Sequence, residues 1–394
     1  MSMPSLTNPL RFGVFVPPQN VIGLNPTLAI RRAVELAEHL DQLGFDEIWF
    51  GEHHSGGAEL VASPELLIAA AAERTKRIRL GTGVVSLPYH SPFQVAQRMV
   101  QLSHMTQGRV MFGAGPGQLA TDAKMFGLET VSLRPRMEDS LAIILRLLAG
   151  ERVSVDEDWV TLHNAVLQLA PYGGNLDVSV VGTVSPSGPK LAGRNGLGLL
   201  SLAATDPTGN DQLPVHWDIV QSEAEKNGHW VGRDRWRLMG PMHLAETREA
   251  AISTAEFGLS WQYEYLNHIS PSAIDVPPTT RELAETINST GRGVVGTPEM
   301  AVEQIRRLLH RSGGFGTYLF QGIDFANWHD TLRSYELFAE RVMPHFTGAL
   351  GPVMASYDYV VGEKEKNRSE TMAARVAAKD QFERERSAYD HPKS

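Results

Sequence analysis

The chain of 394 residues contains no cysteine. This absence excludes a disulfide framework, a thiolate nucleophile, an iron–sulfur cluster and a cysteine-ligated zinc site. An excess of positive charge is absent as well, because 45 acidic residues stand against 36 basic residues and the net charge is −9. Such a balance argues against nucleic acid as the main partner.

Long apolar runs are also missing. No run approaches the ~20 residues that a helix needs to span a bilayer, and the opening segment MSMPSLTNPLRFG contains no apolar signal core. We therefore expect a cytoplasmic protein that has no membrane partner. The sequence does contain 42% hydrophobic residues, and at this chain length that share allows a large buried core.

Short apolar segments alternate with helix-like segments along most of the chain, and this alternation indicates parallel strands joined by crossover helices. The predicted strands cover residues 12–16, 45–50, 79–87, 109–115, 177–182, 198–202, 237–244 and 317–320. Eight strands favour the α/β class and a (β/α)8 TIM barrel with insertions. An open doubly wound sheet usually has fewer strands and a glycine-rich dinucleotide turn after the first one.

Some stretches lie outside the repeat. We predict one barrel domain over residues 1–350, with insertions near 151–171 and 246–292. Alternating apolar residues predict a hairpin in the first insertion. Residues 261–292, rich in Pro, Thr, Ser and aromatic residues, are interpreted as a lid over the barrel mouth. The charged segment 351–394 is predicted to be a helical or mobile tail, and its composition leaves both open.

Barrel enzymes place their sites on the loops that follow the strands. The loop after the second predicted strand contains Glu52, His53 and His54. A lone histidine is more often packed or solvated than catalytic. Two histidines and a carboxylate at a strand end make a structural role and a catalytic role about equally favoured. We predict no metal site, because neighbouring residues on a strand point to opposite faces and His53 and His54 would not converge on one ion.

Glycines interrupt the third and fourth predicted strands. The third contains Gly81 and Gly83, and the fourth ends with Gly113, Gly115 and Gly117. Glycine weakens a strand unless another group approaches the backbone closely. A barrel kink or bulge is the structural explanation, whereas the functional one is a bare backbone surface for a flat ring or a phosphate. The residues alone leave both open.

A third candidate segment, residues 182–189, follows the fifth predicted strand and has the sequence GTVSPSGP. Hydroxyl groups and free amides at a helix start, with Ser185 and Ser187 among them, form a site for an anion. An ordinary serine cap is the alternative, and the late position in the barrel, where phosphate sites recur, brings the two near parity. Basic side chains are scarce around this segment, so we expect a phosphate to be held mainly by hydroxyls and amides.

Taken together, these segments resemble the luciferase-like flavin-dependent monooxygenases, the family of bacterial luciferase and alkanesulfonate monooxygenase. The matching segments are FDEIWFGEHH (45–54), RIRLGTGVVSLPYHSP (77–92), GRVMFGAGPG with Asp122 and the pair Phe126 and Gly127 (108–127), VGTVSPSGPKLAGRNGLGLLS (181–201) and VVGTPEMAVEQI (294–305). The resemblance extends over residues 10–345. It is closest to the branch that contains limonene 1,2-monooxygenase, on GPGQLATDAKMFG and TVSPSG.

The resemblance implies where reduced FMN would bind. Its ring is expected on a bulge that contains a non-prolyl cis peptide between Gly83 and Val84. The functional histidine of bacterial luciferase aligns with His53, and the carboxylate before it aligns with Glu52. The implied cofactor-binding residues are Gly83, Val84, Gly115, Gly117, Ser185, Ser187 and Gly188.

The chain departs from the family pattern in one loop. Bacterial luciferase has a reactive-site cysteine and a phosphate-binding arginine on the fourth-strand loop, where this chain has Gly115 and Pro116. The departure removes the thiol and places arginine-assisted phosphate binding in doubt. A light-emitting reaction is therefore not expected.

The activity that the resemblance implies is that of a two-component monooxygenase. Reduced FMN from a separate flavin reductase would react with O2 to give a 4a-hydroperoxide, which oxygenates a small apolar substrate that is terpene- or ketone-like. His53 would stabilise or protonate the peroxide, and a homodimer is expected. Two alternatives stay open: hydride transfer with a deazaflavin coenzyme on the same barrel, and a non-catalytic flavin-binding protein.

Overall fold

The computed structural model describes residues 9–17, 20–269 and 275–390. The chain divides into two compact units, Met1–Met343 and Pro344–Ser394. The first unit ends ahead of the predicted domain boundary at residue 350. Parts of three predictions lie outside the described residues: the opening segment without a signal core, residues 270–274 of the second insertion, and the last four residues of the tail.

Eight parallel strands close into a barrel in the first unit, and this confirms the predicted fold class. The strands of the chain are β1 (Arg11–Val16), β2 (Glu47–Phe50), β3 (Arg79–Thr82), β4 (Val85–Ser86), β5 (Val110–Gly115), β6 (Val153–Glu157), β7 (Val160–Ala165), β8 (Asp177–Gly182), β9 (Gly198–Ser201), β10 (Trp236–Leu244), β11 (Val294–Gly296) and β12 (Thr317–Gln321). The order around the barrel is β1, β2, β3 with β4, β5, β8, β9, β10 and β12, and β12 pairs with β1. The short β11 extends the sheet beside the end of β10.

Helices alternate with these strands along the chain. They are α1 (Pro26–Leu43), α2 (Pro64–Ala72), α3 (Pro92–Met105), α4 (Ala120–Met125), α5 (Thr130–Leu148), α6 (Ser187–Arg194), α7 (Pro207–Lys226), α8 (Arg248–Ala255), α9 (Leu259–Ile269), α10 (Thr280–Thr290), α11 (Pro298–Ser312), α12 (Trp328–Arg341), α13 (Pro344–Thr347), α14 (Leu350–Gly362) and α15 (Lys364–Asp390). None of the helices in the described ranges combines the length and the apolar character that a bilayer crossing requires.

Local sequence sets the limits of α1. The Asn25 side chain accepts hydrogen bonds from the amides of Thr27 and Leu28, and Pro26 occupies the first turn, where a missing N–H leaves no partner unsatisfied. Gly44 ends the helix in the left-handed conformation, with a φ of 85°, which glycine adopts without a steric penalty. The helix therefore stops just before β2 and fixes where the loop after that strand begins.

The third predicted strand, residues 79–87, is not continuous. It pairs with its neighbours as β3, breaks at Gly83 and Val84, and resumes as β4. The peptide bond between Gly83 and Val84 is cis, as the resemblance implied. Because the break lies at the carboxyl end of β3, it shapes the rim on which barrel enzymes build their sites.

A buried ionic cluster lies at the opposite end of the barrel, at the starts of β2, β8 and β10. Arg237 is 1% exposed. Its Nε and Nη2 lie 2.7 and 3.0 Å from the two carboxylate oxygens of Glu47, and Nη2 lies 2.9 Å from Asp177. Burial opposes the ionisation of Glu47 and Asp177, but the Arg237 charge outweighs burial and lowers the pKa of both carboxyls.

The two insertions differ in structure. The first is the antiparallel hairpin of β6 and β7, as predicted. The second folds into α8, α9 and α10. The amide of Gly258, just ahead of α9, donates to the carbonyl of Phe325 at 3.0 Å, and Tyr265 of α9 packs so closely on Gly56 that a Cβ there would collide with its hydroxyl. Helix α9 therefore contacts the loops after β12 and β2, at the open end of the barrel.

The second unit is helical from α13 through α15. Its apolar side chains are largely exposed, as Val353 and Tyr357, both 64% exposed, illustrate. The mixed charges of α15 form pairs along its own surface, such as Lys379 with Glu383 at 3.8 Å. Pairs of this kind between exposed side chains contribute little to stability.

Candidate active site at the open end of the barrel

The predicted segments gather at the carboxyl ends of the barrel strands. Neighbouring strands are in register there, since Val85 pairs with Ala114 and Ala114 pairs with Val180. The bulge at Gly83–Val84 and the loop at 183–188 therefore follow strands only two positions apart, or roughly 10 Å at the usual strand spacing. The histidine loop after β2 lies on the same rim.

Glu52 joins two loops of this rim. It is 4% exposed, and its Oε1 accepts hydrogen bonds from Nε2 of His54 at 3.1 Å and Nε2 of His90 at 3.0 Å. Burial opposes its ionisation, but these two hydrogen bonds outweigh burial and lower the pKa of Glu52. His90 comes from the loop after β4, so the carboxylate ties that loop to the loop after β2. A catalytic role for Glu52 stays a prediction.

The same three side chains, Glu52, His54 and His90, offer one ligand atom each within 4.8 Å of the others. Nε2 of each histidine donates to Oε1 of Glu52. The three side chains therefore form a hydrogen-bonded network in which Oε2 of Glu52 is buried without a partner among the described residues, and His53 takes no part in it.

His53 is held between two carboxylates. Its Nδ1 lies 2.9 Å from Oδ2 of Asp122, and its Nε2 lies 3.1 Å from Oε2 of Glu59. Burial lowers the pKa of His53, but the hydrogen bond from Asp122 and the charges of Glu59 and Asp122 outweigh burial, so the pKa is raised. The ring therefore stays protonated to a higher pH than an ordinary histidine, which suits a group that handles protons near neutrality.

Asp122 fixes both the ring and the loop that carries it. Its Oδ1 accepts a hydrogen bond from the backbone amide of His54 at 3.2 Å, and a second from the hydroxyl of Ser55. Burial opposes its ionisation, but the hydrogen bonds from His53 and Ser55 outweigh burial and lower the pKa of Asp122. Asp122 also lies in the first turn of α4, where a helix favours negative charge. It is an ionised, immobile partner of His53.

The glycines of β5 make room for protein side chains. A Cβ on Gly115 would collide with Val84, and a Cβ on Gly117 would collide with the hydroxyl of Tyr89. Gly117 also has a φ of 80°, which few other residues adopt. The bulge therefore gives a structural reason for Gly115, and the Tyr89 hydroxyl and the positive φ give one for Gly117, which follows β5. Their contact with a cofactor ring stays a prediction.

A basic side chain from α5 contacts the loop at 183–188, which contains Ser185 and Ser187. The Oγ atoms of Ser185 and Ser187 lie 2.7 Å apart, and Nη1 of Arg134 donates to them at 3.0 and 2.9 Å. In the described part of the chain these hydroxyls are the side-chain partners of Arg134, and it forms no ion pair there. Basic side chains are scarce in the sequence around this segment, but α5 brings Arg134 to the two hydroxyls. That hydroxyls and amides mainly hold a phosphate here stays a prediction.

Gly188 explains how this loop reaches the rim. A Cβ at this position would collide with the carbonyl oxygen of Val181. Only glycine allows the first turn of α6 to approach the end of β8 so closely. The amides at the start of α6 therefore lie beside the strand end, next to Ser185 and Ser187.

A family model for luciferase-like monooxygenases matches residues 10–315. The chain belongs to the luciferase-like monooxygenase family. The chain is also 50% identical over 375 residues to limonene 1,2-monooxygenase of Rhodococcus erythropolis, a match that covers 95% of this chain and 96% of the relative. The family resemblance seen in the sequence is confirmed, and the chain is an enzyme of the monooxygenase type.

Two solved structures share the fold of this luciferase-like monooxygenase. The oxygenating constituent of 3,6-diketocamphane monooxygenase from Pseudomonas putida, in complex with FMN, has a TM-score of 0.71 at 23% identity and covers 85% of this chain and 98% of its own. The coenzyme F420-dependent tetrahydromethanopterin reductase of Methanopyrus kandleri has a TM-score of 0.63 at 18% identity and covers 86% of this chain and 99% of its own. At these identities the likeness shows the fold alone.

Sequence reasoning did not single out three side chains on this rim of the luciferase-like monooxygenase, Glu59, His90 and Arg134, and it named Asp122 only as part of a matching segment. Asp122 has a local signal, because it stands in the first turn of the helix that follows the glycine-rich end of β5. His90 and Glu59 come from loops whose course depends on tertiary contacts. Arg134 lies on a helix 51 residues before Ser185, and no spacing rule relates the two.

Proposed function

We propose that this luciferase-like monooxygenase uses reduced FMN and O2 to oxygenate a small apolar substrate. The observation that carries the proposal is the cluster of Arg134, Ser185 and Ser187, which presents a cation and two hydroxyls to an anion. The cluster lies on the same rim as the bulge at Gly83–Val84 and as His53. A mononucleotide whose phosphate binds the cluster can extend its ring towards the bulge.

The residues of the rim fit FMN. Arg134, Ser185 and Ser187 would hold its phosphate together with amides at the start of α6, because charged hydrogen bonds and a helix N-terminus both favour an anion. Val84, with Gly83, Gly115 and Gly117 around it, would support the ring. The structural relative that oxygenates diketocamphane contains FMN on the same fold, which supports this choice of cofactor. When bound, reduced FMN supplies the electrons that activate O2.

His53 is the side chain that we propose as the proton donor. Asp122 fixes the ring at Nδ1, and the raised pKa keeps the imidazole charged to a higher pH. A charged imidazole on the rim can donate a hydrogen bond or a proton to oxygen at the reacting centre. Water must be kept out, because it diverts the reaction to hydrogen peroxide. Helix α9, which packs on the loop after β2, is our candidate for that cover.

The substrate is proposed to be apolar. Below the bulge, the barrel interior is a cluster of Phe15, Trp49, Met111, Leu200, Met239 and Leu319, with Val84 and Leu202 packed on it. The relative at 50% identity is named for limonene, an apolar terpene. A substrate of similar character would meet an apolar floor and few groups that compete for polar contacts.

We also propose that reduced FMN comes from a separate flavin reductase. The sequence has no glycine-rich nicotinamide turn after its first strand, and this favours an enzyme without a reductase half of its own. The homodimer and the cytoplasmic location stay predictions. Light scattering on the purified protein checks the first of them.

The test of the function supplies photoreduced FMN, labelled O2 and a panel of apolar terpenes and ketones. We expect one labelled oxygen atom in the product, and only when reduced FMN is present, as mass spectrometry would measure. Release of hydrogen peroxide with every substrate would contradict the proposal. Tight binding of deazaflavin F420 without affinity for FMN would favour hydride transfer, for which the fold of the tetrahydromethanopterin reductase is the supporting observation.

Arg134→Ala tests the phosphate site. We expect the dissociation constant of FMN to rise about 10- to 100-fold, since a hydrogen bond to a charged group contributes about 1.5–3 kcal/mol. Fluorescence quenching measures it, and riboflavin, which lacks the phosphate, should bind the variant and the parent equally well. The matched control is Arg136→Ala on the same helix, where the guanidinium stacks on Trp159 at 4.8 Å. Equal losses for FMN and riboflavin would count against a phosphate role.

A further inference from the structure

His53 has no free ring nitrogen in this structure. One nitrogen faces Asp122 and the other faces Glu59. A ring whose two nitrogens both face carboxylates must turn one nitrogen away from its carboxylate before that nitrogen can donate to another molecule. The two carboxylates therefore have to differ in how firmly they hold the ring.

Their surroundings do differ. Asp122 accepts additional hydrogen bonds from the His54 amide and the Ser55 hydroxyl. Oε2 of Glu59, in contrast, is buried and accepts no hydrogen bond within the described residues, and its contact with Nε2 of His53 is an ion pair at 3.1 Å. Burial raises the pKa of Glu59, and the charge of Asp122 adds to this rise although His53 opposes it. Glu59 is thus the carboxyl that can take up a proton, and Asp122 is the one that stays ionised.

Proton counting gives the same division. With Asp122 ionised, Nδ1 of His53 carries one proton. We assign a second proton to the pair formed by Nε2 and Oε2 of Glu59, which lie 3.1 Å apart. It belongs either to an imidazolium beside a carboxylate or to a neutral imidazole beside a carboxylic acid. The transfer moves one proton and leaves the total charge unchanged, so the two groups titrate as a pair.

Tyr265, on helix α9 of the second insertion, acts on the pair of His53 and Glu59. It is 6% exposed, and its ring stacks on the Trp261 ring of the same helix with 5.3 Å between the ring centroids. Its hydroxyl lies against Gly56 in the loop after β2, and it lowers the pKa of Glu59 in opposition to burial. The Tyr265 hydroxyl is buried and has no hydrogen-bond partner within the described residues, so it is available to Glu59.

We propose that Glu59 is a positioning residue that shares one proton with His53, and that Tyr265 of the inserted helix α9 directs that proton to the histidine. The inference deepens the proposed function, on which it rests, because it makes the proton donor ready only when the insertion covers the rim. Release of Nε2 from Glu59, with Nδ1 still held by Asp122, would then expose the donating nitrogen.

The groups that face His53 come from three directions. Asp122 comes from α4, Glu59 from the loop after β2, and Glu52 precedes His53 on its own loop. Tyr265 acts from α9 through Glu59. All three carboxyls favour the charged ring, so removing Glu59 alone should weaken proton binding to His53 and leave the Asp122 contact intact.

The experiment follows the ring nitrogens of 15N-histidine protein by NMR from about pH 5 to 9, with His53 assigned from its missing signals in His53→Asn. We expect Glu59→Gln to weaken proton binding to His53 about tenfold or more, which moves its midpoint to lower pH. Tyr265→Phe should shift the midpoint less and in the same direction, and Glu59→Asp should restore most of the original value.

Matched controls separate this effect from general disturbance. Glu65→Gln removes a carboxyl in the first turn of α2 that pairs with Arg98. Tyr263→Phe removes a second buried tyrosine hydroxyl from α9. Both should leave the His53 midpoint unchanged. An unchanged midpoint in folded Glu59→Gln would overturn the proton sharing. An unchanged midpoint in Tyr265→Phe alone would overturn the role of α9. Neither measurement depends on oxygenation activity. A failure of the proton sharing can therefore be distinguished from a failure of the proposed function.

Discussion

Replacing His53 with alanine is expected to lower the turnover of substrate oxygenation by about 10²- to 10⁴-fold, the usual contribution of a positioned acid or base. The ring is held at both nitrogens by Asp122 and Glu59, and its raised pKa keeps it charged. Without it the rim loses the imidazole that Asp122 and Glu59 keep charged, and we expect the reducing equivalents and O2 to end as hydrogen peroxide. Product formation and hydrogen peroxide release, measured in the same reaction, give the fraction of O2 that is used for oxygenation.

Two further variants define what is lost. His53→Gln keeps much of the volume and a hydrogen-bonding amide but cannot become charged, so it should be nearly as slow as the alanine variant. His329→Ala, which changes an exposed histidine on α12, should be unaffected. FMN affinity should change little in all three. Oxygenation at the parental rate in folded His53→Ala would show that this histidine does not act in the reaction.

The largest effect on stability is expected for Arg237→Met. The change leaves Glu47, which is fully buried, without the guanidinium that lies 2.7 Å away. Removal of one partner from a buried ion pair costs about 3–5 kcal/mol of unfolding free energy. Arg79 at 3.6 Å and Arg11 at 4.0 Å still face Glu47 after the change, so we expect the lower end of this range. Urea unfolding at neutral pH measures this difference. Replacement of both partners, in Arg237→Met with Glu47→Leu, should recover much of the loss.

The same variant has a predicted pH dependence. The pKa values of Glu47 and Asp177 are lowered in the folded protein by Arg237, against burial. Their stabilisation is therefore fully present above the pKa of an unfolded carboxyl, near pH 4, and is lost as the pH falls through the lower folded values. In Arg237→Met the buried Glu47 should protonate more readily, so the deficit against the parent should shrink on acidification.

The matched control makes the same substitution in an exposed pair. Arg306 pairs with Glu303 at 2.8 Å on the surface of α11, and Arg306→Met should change the unfolding free energy by less than about 0.5 kcal/mol. A similar small change for Arg237→Met would contradict the role of the buried cluster. A deficit that grows towards low pH would contradict the assigned pKa directions.

The barrel was predictable because its strands are short apolar runs bounded by proline and glycine. Phe12 to Val16, for example, forms β1 within one residue of the predicted limit. The break in the third strand had no signal in composition. Gly83 indicated an irregular backbone at this point. A bulge and a ligand contact both favour glycine there, so the residue alone did not distinguish them. The cis bond was predicted from the family resemblance.

The site was predictable only where it follows a strand. That rule located Glu52, His53, Ser185 and Ser187, because parallel strands bring their carboxyl ends together. The rule does not locate residues that reach the rim from helices. Arg134 donates to the serine hydroxyls from α5. Its position is fixed by packing between elements, which no local pattern encodes.

A crystal structure of the protein with FMN tests the central claim most directly. The account predicts the phosphate within hydrogen-bonding distance of Arg134, Ser185 and Ser187, and the isoalloxazine ring against Val84 with His53 at its edge. An FMN phosphate bound away from this cluster, or a ring that does not reach the bulge, would contradict it.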